Sequence, residues 1–184
     1  MGPKDRNVRE EKLGVAIFAA LAFLVVAAPA MAQPHVRGEG GMQSLIDEAA
    51  RRSTAIRDSI DRLDELDVTV YVRRAMFTQL DLDGRVGLLS THDGHRYLAI
   101  ELACDRSELT QMTTLAHELF HALEIAEEPS VVSTDGLADL YSRIGTKTRD
   151  TRGRRTFETE AAAAAGQRAR RELLTNTTRH GHGT

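Results

Sequence analysis

The sequence predicts an α+β protein in which a small antiparallel sheet of about three strands packs on one long helix and on further helices. Two observations predict this class. Apolar residues recur every three or four positions over several long segments, as they do along one face of a helix. Between these segments, β-branched residues and turn residues mark a few short strands. The long helix carries the sequence His-Glu-x-x-His at residues 117–121, from which the function is predicted.

Residues 1–32 have the pattern of an export signal. A polar start at 1–12 is followed by 13–30, which contains no charged residue. Ala30-Met31-Ala32 then places small residues at the two positions that signal peptidase recognises. We expect cleavage before Gln33 and export to the periplasm or the medium. The alternative is an uncleaved membrane anchor, because the apolar run approaches the length that spans a bilayer.

About 150 residues follow the predicted signal, enough for one domain. We expect a flexible leader at 33–41, a folded domain at 42–174 and a disordered tail at 175–184. The net charge of −3 is spread over interleaved acids and bases, so neither nucleic acid nor, after signal cleavage, a membrane is expected as a partner. One cysteine, Cys104, excludes an intrachain disulfide. It is expected to be a small buried residue.

The first half of the domain is predicted to hold one helix and three strands. Apolar residues at helical spacing predict a helix over 42–64. The β-branched segment 67–73 predicts a strand. Segments 85–91 and 95–103 flank His92-Asp93-Gly94, a turn sequence typical of hairpins, and they are expected to pair as antiparallel strands.

The motif helix is predicted over 107–128. Asp105 and Glu108 form an acidic pair of the kind that caps a helix start, and Pro129 disfavours helix in the residue before it. One apolar stripe would bury a side of this helix: Met112, Leu115, Ala116, Leu119, Leu123 and Ala126.

The two histidines of the motif can bind one metal ion. Residues four apart lie on the same face of a helix, one turn from each other, so His117 and His121 can present two imidazoles together. Two neutral nitrogen ligands suit Zn²⁺, which lowers the pKa of a bound water to about 7. Glu118 borders that face and is predicted to be the general base rather than a ligand. The motif therefore predicts a zinc metallopeptidase acting on a peptide or protein substrate.

Two further helices are predicted after the motif helix. The first covers 134–144, and a basic, polar surface loop follows at 145–155. The second covers 157–174 and contains a run of alanines, which favours close packing against another helix.

A third metal ligand is required, because catalytic zinc usually has three from the protein. Glu124 lies a turn beyond His121 on the same helix and is expected to miss the metal. Glu158 and Glu160 are the candidates on the last predicted helix, where residues two apart point about 200° apart. With Glu158 facing the metal, small residues share its side and permit a close helix approach: Ala161, Ala162 and Ala165. We predict Glu158, with Glu160 as the alternative.

The sequence also resembles a known class of zinc peptidases. Positions 124 and 127 are glutamates, where metzincins have glycine and histidine. The pattern is instead similar to gluzincins, whose third ligand is a glutamate of a later helix. Segments 115–124 and 158–162 resemble small secreted bacterial proteins with a Leu-Ala-His-Glu-Leu-x-His-Ala-Leu-Glu core and a later Glu-Thr-x-Ala-Ala stretch. This resemblance implies a minimal zincin-like metallopeptidase with Glu158 as third ligand and strand 97–103 at the sheet edge beside the cleft.

Some features of that class have no obvious counterpart. In thermolysin-like enzymes, an aspartate four residues after the ligand glutamate orients one of the histidines. The corresponding position in this sequence is Ala162. The residue that orients a histidine would therefore be Asp139, or such a residue is absent. Tyr141 and Tyr97 are candidates for stabilising an oxyanion, although packing is the expected role of each. The alternative function is a catalytically weak or inactive zinc-binding module of the envelope, with a fourth ligand such as Cys104.

Overall fold

The computed structural model describes residues 33–78, 82–149 and 155–180, except for the side chains of 147–149, 155–157 and 177–180. The predicted export signal lies outside the described residues. The α+β class is confirmed, since these residues form six strands and five helices: β1 (Val36–Gly38), α1 (Met42–Arg52), α2 (Thr54–Asp64), β2 (Val68–Ala75), β3 (Gly84–His92), β4 (His95–Ala103), α3 (Glu108–Ala126), α4 (Thr134–Ile144), β5 (Thr146–Arg149), β6 (Arg155–Glu158) and α5 (Glu160–His180). No helix within the described ranges is long and apolar enough to cross a membrane.

The main sheet is mixed and has four strands, in the order β1-β2-β4-β3. β2 is parallel to β1 and to β4, and only β3 and β4 are antiparallel. The prediction of a three-stranded antiparallel sheet was wrong on this point. The additional strand, β1, lies in the segment expected to be a flexible leader. Val36 is buried there and aligns with Val70 of β2. A strand of three residues is too short to give a recognisable alternation in the sequence.

The predicted hairpin is confirmed as β3 and β4. Asp93 and Gly94 have φ values of 49° and 85°, the left-handed conformation that two-residue hairpin turns require. β4 lies between β2 and β3, so the prediction that this strand forms the edge was wrong. Its largely continuous burial is typical of an interior strand. β1 and β3 are the edge strands instead.

The first predicted helix is divided into α1 and α2 at Ser53. The backbone of Ser53 is extended, with φ −130° and ψ 120°, and its hydroxyl accepts a hydrogen bond from the Ile56 amide at 3.3 Å. Ser53 therefore caps α2. The apolar pattern continues across the break because both helices pack on the same core, which is why the sequence predicted one helix.

The motif helix, α3, has its predicted buried stripe. Its start is capped by Ser107 rather than by Asp105: the Ser107 hydroxyl accepts a hydrogen bond from the Thr110 amide at 3.2 Å. Its end is fixed by Arg96 of β4, which donates hydrogen bonds to three main-chain carbonyls at 2.6–2.9 Å: Ile125, Ala126 and Glu128. A buried cation thus stands at the negative end of the helix dipole.

The C-terminal part confirms α4 and corrects the segments that follow it. In the predicted loop 145–155, β5 pairs with β6 as a second, two-stranded sheet; residues 150–154 lie outside the described ranges. α5 starts later than predicted and continues to His180, so the tail expected to be disordered from Thr175 is helical up to that residue. Among the α5 side chains that are described, up to residue 176, the buried ones are Ala162, Ala169 and Leu173. Ala161, expected on the packed side, is exposed.

Candidate metal centre

The two motif histidines lie on consecutive turns of α3. Their ring centroids are 4.8 Å apart and the ring planes are inclined by 79°. His121 is buried, whereas part of the His117 side chain is accessible. The pair therefore forms one nitrogen-rich site that remains open to solvent on the His117 side.

Glu158 brings a carboxylate to this pair from a different element. Its oxygens lie 3.5 Å from Nε2 of His117 and 3.7 Å from Nε2 of His121. One ligand atom from each of the three residues lies within 4.8 Å of the others, and no second group of this kind occurs in the described part of the chain. Glu158 ends β6 and precedes α5, so the predicted position of Glu158 on a helix was wrong. Glu160, the alternative, is exposed at the start of α5.

The remaining nitrogen of His121 has a partner on the same helix. His121 Nδ1 donates a hydrogen bond to Glu124 Oε2 at 2.7 Å, whereas on the His117 imidazole, whose pKa burial lowers, the backbone of Ala162 acts in the opposite direction. The hydrogen bond to Glu124 is of the kind that fixes the ring orientation and the tautomer of a metal-binding histidine. Asp139, considered for this role from the sequence, is exposed on α4. The sequence predicted no such role for Glu124, although a residue three positions from His121 is within reach on a helix.

The electrostatics of the site favour positive charge between the imidazoles. Burial alone would lower the pKa of His121, but the hydrogen bond with Glu124 and the nearby Glu158 carboxylate raise that pKa to about 9. Burial would raise the pKa of Glu158, and the two histidines hold it below its ordinary value. Burial lowers the pKa of His117, which favours the neutral imidazole that ligates metals. Two imidazoles and one carboxylate form a donor set that fits zinc.

Glu118 lies beside the three-residue group but is not a member of it. Glu118 is only 6% exposed, and burial raises its pKa to about 7, although the nearby His121 and the backbone of Val86 in β3 act in the opposite direction. β3 packs directly against it, since a Cβ built at Gly84 would lie 3.3 Å from Glu118 Cγ. A carboxylate that titrates near neutral pH is suited to exchange protons with a substrate.

The other candidates differ in position. The Tyr141 ring lies edge-on to His121 at 5.4 Å, and its hydroxyl donates to the His121 carbonyl at 3.4 Å. Burial raises the Tyr141 pKa, which keeps the phenol neutral. Tyr97 packs on His95, on the sheet face opposite the core. Cys104 is exposed, so its expected burial was wrong. Of Tyr141, Tyr97 and Cys104, only Tyr141 lies beside the histidines.

Comparisons with protein-family models, curated proteins and solved structures found no match to this chain.

Proposed function

We propose that this protein is an exported zinc metallopeptidase. His117, His121 and Glu158 would hold the metal, and Glu118 would act as general base. The observation that supports this most strongly is the position of Glu158, a residue 37 positions beyond His121 in the sequence, within 4.8 Å of the motif histidines. An i,i+4 histidine pair can occur by chance on a helix surface. A third donor of the right type from a separate element, together with the hydrogen bond that orients His121, favours a built site.

Each residue has a distinct task in this proposal. Zinc would supply Lewis acidity, which polarises a carbonyl and increases the acidity of water. His117 and His121 would hold the metal through the Nε2 atoms that face Glu158, and the hydrogen bond from His121 Nδ1 to Glu124 keeps the His121 ring in this orientation. The buried Glu118 carboxylate accepts a proton from the attacking water and donates it to the leaving amine. Its pKa of about 7 suits both steps.

The substrate would bind along β3. This strand is at the sheet edge, and its first residue, Gly84, packs against the Glu118 side chain. A free strand edge presents main-chain groups that an extended peptide can pair with. The proposed substrate is therefore an extended segment of a peptide or an unfolded protein.

The alternative function is a zinc-binding module of the envelope without catalysis. A fourth protein ligand would favour it, because structural zinc sites are closed by four protein ligands. Within the described residues, the ligand group has three members and does not include Cys104. This set favours the enzyme.

Hydrolysis of a mixed peptide library by the chain from Gln33, with and without chelator, tests the proposal. We expect hydrolysis that chelator removes and added zinc restores. Glu118→Gln is the matched control: it keeps the ligands and cannot accept the proton, so it is expected to bind zinc and leave the peptides intact. Wild-type activity in Glu118→Gln would refute the mechanism.

Export is tested separately by expressing the full chain in a bacterial host. The proposal expects the protein outside the cytoplasm, with Gln33 as its first residue. Recovery of the full-length chain in the membrane fraction would instead indicate an anchor.

A further inference from the structure

We propose that Thr159 is a positioning residue that couples the third metal ligand to the orientation of His121. This inference rests on the proposed function, since it concerns the same metal site. Thr159 directly follows Glu158 and is 5% exposed. In the sequence it is one residue of the predicted helix 157–174 and of the Glu-Thr-x-Ala-Ala stretch, with no role of its own.

Thr159 makes four hydrogen bonds, with two different effects. Its hydroxyl accepts from the Ala162 amide at 3.1 Å, and its carbonyl accepts from the Ala163 amide at 3.1 Å, so it caps α5. Its own amide donates to Glu158 Oε1 at 3.0 Å. Its hydroxyl also donates to Glu124 Oε1 at 2.7 Å. The first two bonds start the helix, and the last two reach the metal site.

The contact with Glu124 completes a continuous path between two ligands. Glu124 uses one oxygen for Thr159 and the other for His121 Nδ1, at 2.7 Å each. Because both oxygens are engaged, the carboxylate has one orientation, and the imidazole it holds keeps Nε2 directed toward Glu158. The path runs from Glu158 through the Thr159 backbone and hydroxyl to Glu124 and then to His121.

A helix cap alone would not require this arrangement. Ser133 caps α4 with the same bond, its hydroxyl accepting from the Gly136 amide at 3.1 Å. The Thr159 hydroxyl differs because it is buried and its proton is given to a carboxylate that holds a metal-binding histidine. We therefore expect its removal to change metal affinity, whereas loss of the Ser133 cap changes only stability.

The test measures the zinc affinity of the folded chain by chelator competition, and the visible absorption spectrum of the Co²⁺-substituted protein. Thr159→Val keeps the shape of the side chain and removes its hydroxyl. We expect it to weaken zinc binding about 10–100-fold, as is usual when a residue that holds a metal ligand is lost, and to alter the Co²⁺ spectrum. Thr159→Ser is expected to restore both. Ser133→Ala is the matched control for loss of a helix cap and is expected to bind zinc like wild type.

A double-mutant cycle with Glu124→Gln tests the path itself. If Thr159 acts through Glu124, Thr159→Val should have little further effect on affinity once Glu124 is replaced. Wild-type affinity in Thr159→Val, an equal loss in Ser133→Ala, or full additivity with Glu124→Gln would each overturn the inference while leaving the zinc site intact. If Thr159→Val does not fold, unchanged affinity in Glu124→Gln overturns it. A wild-type chain that binds no zinc would overturn the proposed function as well.

Discussion

Replacement of Arg96 by methionine tests how the motif helix is held at its C-terminal end. Arg96 is 7% exposed and donates to the carbonyls of Ile125, Ala126 and Glu128. Methionine keeps most of the apolar stem and removes every donor. A hydrogen bond contributes about 0.5–1.5 kcal/mol to stability. The amides of Glu128 and Val131 still donate to the Ile125 and Glu128 carbonyls, and relief of the buried charge offsets part of the loss, so we use about 1 kcal/mol for each of the three bonds.

The expected loss is therefore about 3 kcal/mol in the free energy of unfolding, a large share of the roughly 5–15 kcal/mol of a small domain. Urea denaturation followed by circular dichroism measures it. Arg62→Ala is the matched control, since Arg62 also binds near the end of α3, through Glu127, but its side chain is 55% exposed. Exposed pairs of this kind contribute about 0–1 kcal/mol. Equal losses in the two variants would refute the role assigned to Arg96.

Three further predictions concern two glycines and one carboxylate. Gly84→Ala would place a Cβ 2.4 Å from Thr114 Cγ2, so we expect a loss of about 1–3 kcal/mol in urea denaturation; an unchanged midpoint would contradict this packing. In Gly166→Ala the added Cβ would lie at an ordinary contact distance from His117. This variant should gain up to about 1 kcal/mol of stability from helix propensity, with unchanged zinc affinity. A loss of stability would contradict the spacing between α3 and α5. Burial would raise the pKa of the Glu172 carboxyl. Hydrogen bonds from Ala55, Ser53 and Arg168 instead hold this pKa below its ordinary value of 4.5. The stability that the Glu172 carboxylate contributes is thus present above pH 4.5 and lost as the pH falls below 4.5. Glu172→Gln should therefore reduce the dependence of the free energy of unfolding on pH in this acidic range. An unchanged pH dependence would contradict this role of Glu172.

The sequence predicted those elements of the fold whose determinants are local. The hairpin follows from alternation on both sides of Asp93-Gly94, and the buried stripe of α3 follows from helical periodicity. β1 was missed because its pairing with β2 is a tertiary contact of three residues. The break at Ser53 was missed because the apolar period continues across it.

The candidate site was only partly predictable for a similar reason. The geometry of His117 and His121 follows from helix periodicity alone. Helical periodicity predicted Glu158 on the face of a helix, but the residue lies at the end of a strand. The Glu124–Thr159 contact joins residues 35 positions apart, and spacing along one helix does not predict such a contact.

The zinc content of Glu158→Ala, compared with that of Glu160→Ala, tests the metal centre most directly. Both variants remove one glutamate near the junction of β6 and α5, but Glu158 is the one that lies within 4.8 Å of the histidine nitrogens. Elemental analysis after dialysis against a weak chelator should find about one zinc per chain in wild type and in Glu160→Ala, because three protein ligands are the usual catalytic set. Glu158→Ala should lose most of its zinc. Full zinc content in Glu158→Ala, or loss only in Glu160→Ala, would contradict the proposed metal site.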